Sequence, residues 1–91
     1  PAEEQKIHTQ ITQNSNPNYN LLVSAKQEQN PAEALNKYYE IIENAQAQND
    51  TKIMSIAYFE SGKLYDSFNS FEKALENYNA AIENTTDETN I

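Results

Sequence analysis

The sequence has no cysteine, no arginine and a single histidine, His8, in its 91 residues. Without cysteine, neither a disulfide nor a thiolate metal site can stabilise the chain. Nucleophilic catalysis needs a nucleophile beside a base, phosphoryl transfer needs a phosphate-binding loop, and neither pattern occurs here. We therefore expect a protein that is not an enzyme and that binds no cofactor and no metal.

Glycine and proline are also scarce, with one Gly and three Pro in the whole chain. An all-β protein needs many tight turns, which are rich in these two residues. The shortage therefore predicts an all-α protein.

Basic residues are outnumbered, because six lysines face fourteen acids and leave a net charge of −8. Nucleic-acid binding requires a clustered basic face, so we expect no nucleic-acid partner. No apolar run approaches the length of a membrane span, so we expect no membrane insertion. The acidic excess either keeps helical surfaces soluble or steers a basic partner towards the protein.

Apolar residues recur at three- and four-residue spacing along most of the chain, which predicts about five helices. Two strong start signals are Asn30-Pro31, with Glu33 placed for a capping box, and Asp50 or Thr51. The predicted helices cover 1–13, 17–29, 31 to about 46, 51–68 and 71–84, and residues 85–91 are predicted to form a flexible tail. The predicted packing face of the third helix consists of Ala34, Leu35, Tyr38, Ile41, Ile42 and Ala45. That of the fourth consists of Met54, Ala57, Tyr58, Ser61, Leu64, Tyr65 and Phe68, and that of the fifth of Phe71, Ala74, Leu75, Tyr78, Ala81 and Ile82.

The stretch from Tyr58 to Ile82 follows a known repeat pattern. A tyrosine, a serine–glycine pair and a second tyrosine are followed by alanine and aromatic positions: Tyr58, Ser61, Gly62, Tyr65, Ala74, Tyr78 and Ala81. This spacing resembles a tetratricopeptide repeat, W-x2-L-G-x2-Y followed by A-x3-F, with Gly62, Tyr65 and Ala74 matching outright. A glycine inside a helix costs up to about 1 kcal/mol relative to alanine, so it indicates close approach of a neighbouring helix.

A second, degenerate copy precedes it, in which Ala34 and Tyr38 parallel Ala74 and Tyr78 at an offset of forty residues. The standard repeat is 34 residues long, and the longer offset is explained if both helices around Gln46–Thr51 are nearly a turn longer. The chain is thus interpreted as one domain: a trailing or capping helix at 1–13, a degenerate repeat at 17–48 and a repeat at 51–84. Two repeats fall short of a stable array, so we expect a fragment of a longer chain.

The resemblance implies antiparallel helix hairpins in a right-handed superhelix, whose first helices line a concave groove for a peptide or partner helix. The residues expected to face that groove are Tyr19, Val23, Lys26, Gln27, Ile56, Phe59, Lys63 and Asp66. Alternatively, they are buried against a neighbouring repeat. Members of the family that clamp carboxylates use basic groove residues, and this chain has Tyr19 and Val23 at two such places, so we expect no clamp.

The function implied is a non-catalytic scaffold that binds a neutral or basic protein or peptide. One alternative is a structural unit that forms homo-oligomers through its uncapped ends. Another is a peptide-sensing regulatory part of a larger protein.

Overall fold

The computed structural model describes the backbone of residues 17–89 and the side chains of residues 17–85. This part of the chain forms four helices and no strand: α1 (Pro17–Gln27), α2 (Pro31–Ala47), α3 (Thr51–Ser67) and α4 (Phe71–Thr89). The all-α class is confirmed. The helix expected at 1–13 lies outside the described residues.

Helix α2 begins at the asparagine that the sequence indicated. The Asn30 side-chain oxygen accepts the backbone N–H groups of Ala32 at 3.0 Å and Glu33 at 3.3 Å, which satisfies two donors of the first turn. In the predicted capping box, the backbone N–H of Asn30 would donate to the Glu33 side chain. In the structure it donates instead to the Glu28 carboxylate, at 3.3 Å.

The turns after α2 and α3 share one geometry. Asn49 and Asn69 have φ values of 56° and 62°, in the left-handed region that asparagine tolerates at the end of a helix. The following residues, Asp50 and Ser70, donate their backbone N–H groups to the carbonyls of Ala45 and Tyr65 at 2.8 and 2.9 Å. Each turn is only three residues long, so the two helices that it joins pack antiparallel.

Helices α2, α3 and α4 start at residues 31, 51 and 71, so they repeat every twenty residues and a hairpin repeats every forty. The register extends into the side chains: Tyr38, Tyr58 and Tyr78 occupy the same place on successive helices. In α1, the buried Asn18, Leu22 and Ala25 correspond to Tyr38, Ile42 and Ala45 of α2. The forty-residue offset is thus built from 17-residue helices and short turns.

The helices form an open array. Among the four described helices each packs against the next along the chain, α1 also touches α3, and α4 contacts only α3. A closed four-helix bundle would bring α4 back against α1.

The core lies between α1, α2 and the facing side of α3. It consists of aliphatic residues with one tyrosine: Leu22, Ala25, Ala34, Tyr38, Ile41, Ile42, Ala45, Ile53 and Ala57. The packing face predicted for α2 is confirmed apart from the half-buried Leu35. The face predicted for α3 needs correction, because Phe68 is exposed whereas Ile53 and Ser55, which the prediction omitted, are buried.

Helix α4 continues to Thr89, five residues beyond its predicted end at Asn84. Residues 85–89 of the segment predicted as a flexible tail, 85–91, are thus helical, and residues 90 and 91 lie outside the described residues. Polar residues there do not interrupt the helix, since Asn84 and Thr85 direct their side-chain hydrogen bonds back to the carbonyls of Ala80 and Ile82.

Candidate functional site

An apolar stripe runs along the outer side of α4. We call its residues the α4 stripe: Phe71, Leu75, Tyr78 and Ile82, at spacings of four, three and four residues. Phe71, Leu75 and Ile82 are 62%, 60% and 61% exposed, and Tyr78 is half-buried. The amphipathic pattern of α4 was predicted from the sequence, but only Ala74 and Ala81 of that pattern are buried in the array.

Between the stripe and α3 lies an open groove of about 470 Å³, the α3–α4 groove. It is lined by Ser55, Phe59, Tyr78, Ala81, Ile82 and Thr85. The rings of Phe59 and Tyr78 form its aromatic wall, with centroids 5.7 Å apart and planes tilted by 48°. At its floor the Ser55 hydroxyl donates to the carbonyl oxygen of Ala81 at 2.9 Å, which joins the two helices.

Close approach at Gly62 sets the position of Tyr78. A Cβ atom added to Gly62 would lie 2.8 Å from two ring carbons of Tyr78 and 3.3 Å from the Ala74 carbonyl oxygen. These distances are shorter than ordinary van der Waals contact, so the glycine allows the tyrosine ring to lie directly on the α3 backbone. The ring is thereby held at the edge of the groove.

Charged groups border the aromatic wall. The Lys63 ammonium lies 5.2 Å from the centroid of the Phe59 ring and 3.3 Å from the Glu60 carboxylate. Burial raises the pKa of Tyr78, and the negative charge of Asp66 raises it further. The tyrosine hydroxyl therefore stays protonated at neutral pH and can act as a donor beside the groove.

A strip of glutamates flanks the other side of the α4 stripe. Glu72 follows Phe71, Glu76 follows Leu75, and Glu83 follows Ile82, and all three are exposed. Successive helical residues are about 100° apart, so the three carboxylates lie side by side next to the apolar stripe. The only basic residue of α4 is Lys73, and its ammonium lies 5.7 Å from the Tyr65 ring centroid.

The four groove residues predicted on α1 do not meet the apolar groove. Tyr19 and Val23 are 44% and 40% exposed on the surface of α1. Lys26 lines a smaller cavity of about 240 Å³ between α1, α2 and α3, which it shares with Lys63. Gln27 lines a separate polar depression beside the turn after α1.

The four groove residues predicted on α3 are also divided. Ile56 is half-buried and packs against the core, so it is not exposed as an anchor. Phe59 lines the α3–α4 groove, Lys63 lines the smaller cavity, and Asp66 acts on the Tyr78 hydroxyl. The structure thus brings Lys26 and Lys63 together and places Phe59 beside α4.

The sequence prediction missed Ile82 and Leu75 as surface residues because it assigned them to packing. The sequence holds only a partial signal, the forty-residue register that matches Ile82 with Ile42. Their exposure depends on what packs on α4, which helical spacing alone does not report.

Neither a metal-binding cluster nor a membrane-spanning helix is found among the described residues. Among the side chains of residues 17–85, no three His, Asp or Glu groups are placed to hold a metal ion. None of the described helices combines the length and apolar character that crossing a membrane requires.

No protein-family model, curated protein or solved structure matches this chain. Its function must therefore be inferred from the surface of the described residues, which includes the apolar α3–α4 groove.

Proposed function

We propose that this chain is a non-catalytic protein-interaction module of tetratricopeptide type and that it binds its partner in the α3–α4 groove. The observation that carries the proposal is the exposed apolar surface formed by Phe59, Tyr78, Ile82 and the rest of the α4 stripe. Soluble proteins rarely leave contiguous apolar surface of this kind uncovered unless it serves an interaction.

Two features support the repeat type. The Tyr78 ring of α4 lies directly over Gly62 of α3, and the carbonyl oxygen of Ala74 lies at the same contact. The helices also stack in chain order as an open array, the arrangement that repeat proteins use to present an extended binding surface.

The groove has the composition of a binding hot spot. Aromatic and aliphatic side chains form its interior, and Lys63, Glu60 and Asp66 form a polar rim around Phe59 and Tyr78. Burial of such anchors supplies most of the affinity in protein interfaces, whereas the rim excludes water and adds specificity. The module would thus bind by apolar anchoring, without a chemical step.

The test is a pull-down from the native source with a Phe59→Ala, Ile82→Gln double variant. Both residues are exposed, so we expect the variant to stay folded, and circular dichroism checks this. The matched control is a Tyr19→Ala, Val23→Gln double variant, which removes an exposed aromatic and an exposed aliphatic residue from α1. Loss of the captured partner in the groove variant alone supports the proposal, and equal capture by both variants overturns it.

Self-association is a second candidate, favoured by the same exposed residues of α4. Like-charge repulsion at a net charge of −8 opposes it. Sedimentation velocity over a range of protein concentrations separates the two functions. A mass that rises with concentration in the wild type, but not in a Leu75→Gln, Ile82→Gln variant, would assign the surface to self-association.

A further inference from the structure

We propose that the occupant of the α3–α4 groove is an amphipathic helix whose apolar face is bordered by lysine or arginine. This inference rests on the proposed function, because it names the partner of the same groove. It is carried by the forty-residue register of the array and by the charges of α4.

The register indicates that the occupant is a helix. The four α4 residues that line the groove are Tyr78, Ala81, Ile82 and Thr85, and their counterparts forty residues earlier are Tyr38, Ile41, Ile42 and Ala45. All four counterparts are buried. The helix that follows them in the array, α3, contributes to the core cluster in which they lie. A helix placed on α4 as α3 is placed on α2 would cover the groove in the same way.

The contacts of α3 also indicate the apolar pattern of the occupant. Ile53 and Ala57 of α3 belong to the cluster that contains Ile42, and they lie one turn apart. An occupant helix would therefore present apolar residues at i and i+4, with a small residue where the two helices come closest. An extended peptide would hold residues four positions apart about 13 Å from each other, against about 6 Å in a helix, so it would not reproduce the contacts of α3.

The charges of α4 indicate the border of that face. A helix lying on the α4 stripe would run beside Glu72 and Glu76, which are both exposed and one turn apart. Lysine or arginine at the edge of its apolar face would face these carboxylates, whereas glutamate would be repelled. A second copy of this chain is a poor occupant, because fourteen acids against six lysines make both molecules acidic.

The probes are two synthetic peptides of the same length as α3, with identical apolar residues at the spacing of Ile53 and Ala57. One carries lysine at the positions flanking the apolar face, and the other carries glutamate. Binding to the full chain is measured by fluorescence anisotropy at low and at physiological salt. We expect the lysine peptide to bind at least about tenfold more tightly, with the difference shrinking as salt rises.

Two variants locate the binding. Leu75→Gln, Ile82→Gln should abolish binding of the lysine peptide, and its control, Val23→Gln, should not. Glu72→Gln, Glu76→Gln should weaken the lysine peptide about three- to tenfold and flatten its salt dependence. The charge control, Glu40→Gln, Glu43→Gln, removes two exposed acids one turn apart on α2 and should leave affinity unchanged.

The outcomes separate this inference from the function on which it rests. If both peptides bind equally and the stripe variant abolishes both, the groove binds helices but the basic border is wrong. If neither peptide is affected by the stripe variant, the groove is not the binding surface and the proposed function fails with it. If the protein's own mass doubles through the stripe, the occupant is a second copy and the inference is overturned.

Discussion

Helices α2 and α4 hold equivalent places in successive hairpins, yet their equivalent side chains lie in opposite environments. Ile42 is 7% exposed and Ile82 is 61% exposed, although both occupy the same helical position forty residues apart. Helix α2 is packed between α1 and α3, whereas α4 contacts only α3 among the described helices. In an open array, burial therefore depends on the neighbouring helix more than on the amphipathic pattern of the helix itself.

The difference also separates stability from binding. The buried apolar residues of α2 stabilise the fold because their surface is removed from water, which contributes roughly 25 cal/mol for each Å². The exposed apolar residues of the α4 stripe would contribute the same kind of free energy only when a partner covers them. Mutations at equivalent positions should therefore have large effects on folding in one helix and on binding in the other.

The largest expected effect is on the equivalent isoleucines. Ile42→Ala should lower the free energy of unfolding by about 2–4 kcal/mol, because it leaves a cavity in the core. Ile82→Ala should change it by about 0.5 kcal/mol or less, since the side chain is mostly in water. Urea denaturation followed by circular dichroism measures both. Equal losses would break the comparison, because they would mean that Ile82 is covered in solution.

The next effect concerns Tyr38, the α2 counterpart of Tyr78. Burial, and after it the charge of Glu60, raises the pKa of Tyr38 from 10.0 to about 12. Between those pH values the unfolded chain has lost a proton that the folded protein keeps, so stability falls as pH rises. The slope for this residue is about 1.4 kcal/mol per pH unit.

Tyr38→Phe should remove that part of the alkaline destabilisation. The measurement is the urea midpoint of wild type and variant at several pH values between 9 and about 11.5, the range set by the linkage. Parallel curves for the two proteins would show that Tyr38 is not protected from ionisation by the core.

Substitution of Gly62 tests how closely α3 and α4 are packed. Gly62→Ala gains up to about 1 kcal/mol in helix propensity, but overpacking against the Tyr78 ring costs about 1–3 kcal/mol. We expect a net loss of stability of about 1 kcal/mol, since the added Cβ also meets the Ala74 carbonyl oxygen. The double-mutant cycle with Tyr78→Ala supplies the control. If the loss persists without the ring, the clash with Tyr78 is not its cause.

Local rules predicted the helices well. Asn30-Pro31 and Asp50 mark helix starts because their side-chain oxygens satisfy first-turn N–H groups, and the structure has these bonds. The core face of α2 could be predicted because helices pack on both of its sides, so all the apolar residues of the predicted face except Leu35 are buried. The end of α4 could not be predicted in this way. Polar residues such as Asn84 and Thr85 can either end a helix or, as here, remain helical with their side chains hydrogen-bonded to carbonyls of the same helix.

The candidate site was harder to predict. Spacing indicated Phe59 as a surface anchor and Gly62 as a close contact, and both lie at the α3–α4 groove or its edge. Spacing also placed Ile56 on the binding face and Ile82 on the packing face. Their environments are the reverse, because the packing of α3 on α2 and the open side of α4 are properties of the array rather than of one helix.

The smallest expected effect separates two serines of α3. Ser55 is buried and hydrogen-bonded to Ala81 of α4, whereas the fully buried Ser61 hydroxyl has no hydrogen-bond partner among the described residues. Ser55→Ala should cost about 1 kcal/mol, because it removes a bond between the helices. Ser61→Ala should instead stabilise the protein by up to about 1 kcal/mol, because it removes an unsatisfied polar group and favours the helix. Thermal and urea unfolding of the two variants measure the signs. Losses of equal size would mean that the Ser61 hydroxyl is hydrogen-bonded in solution, and the contrast between the two serines would disappear.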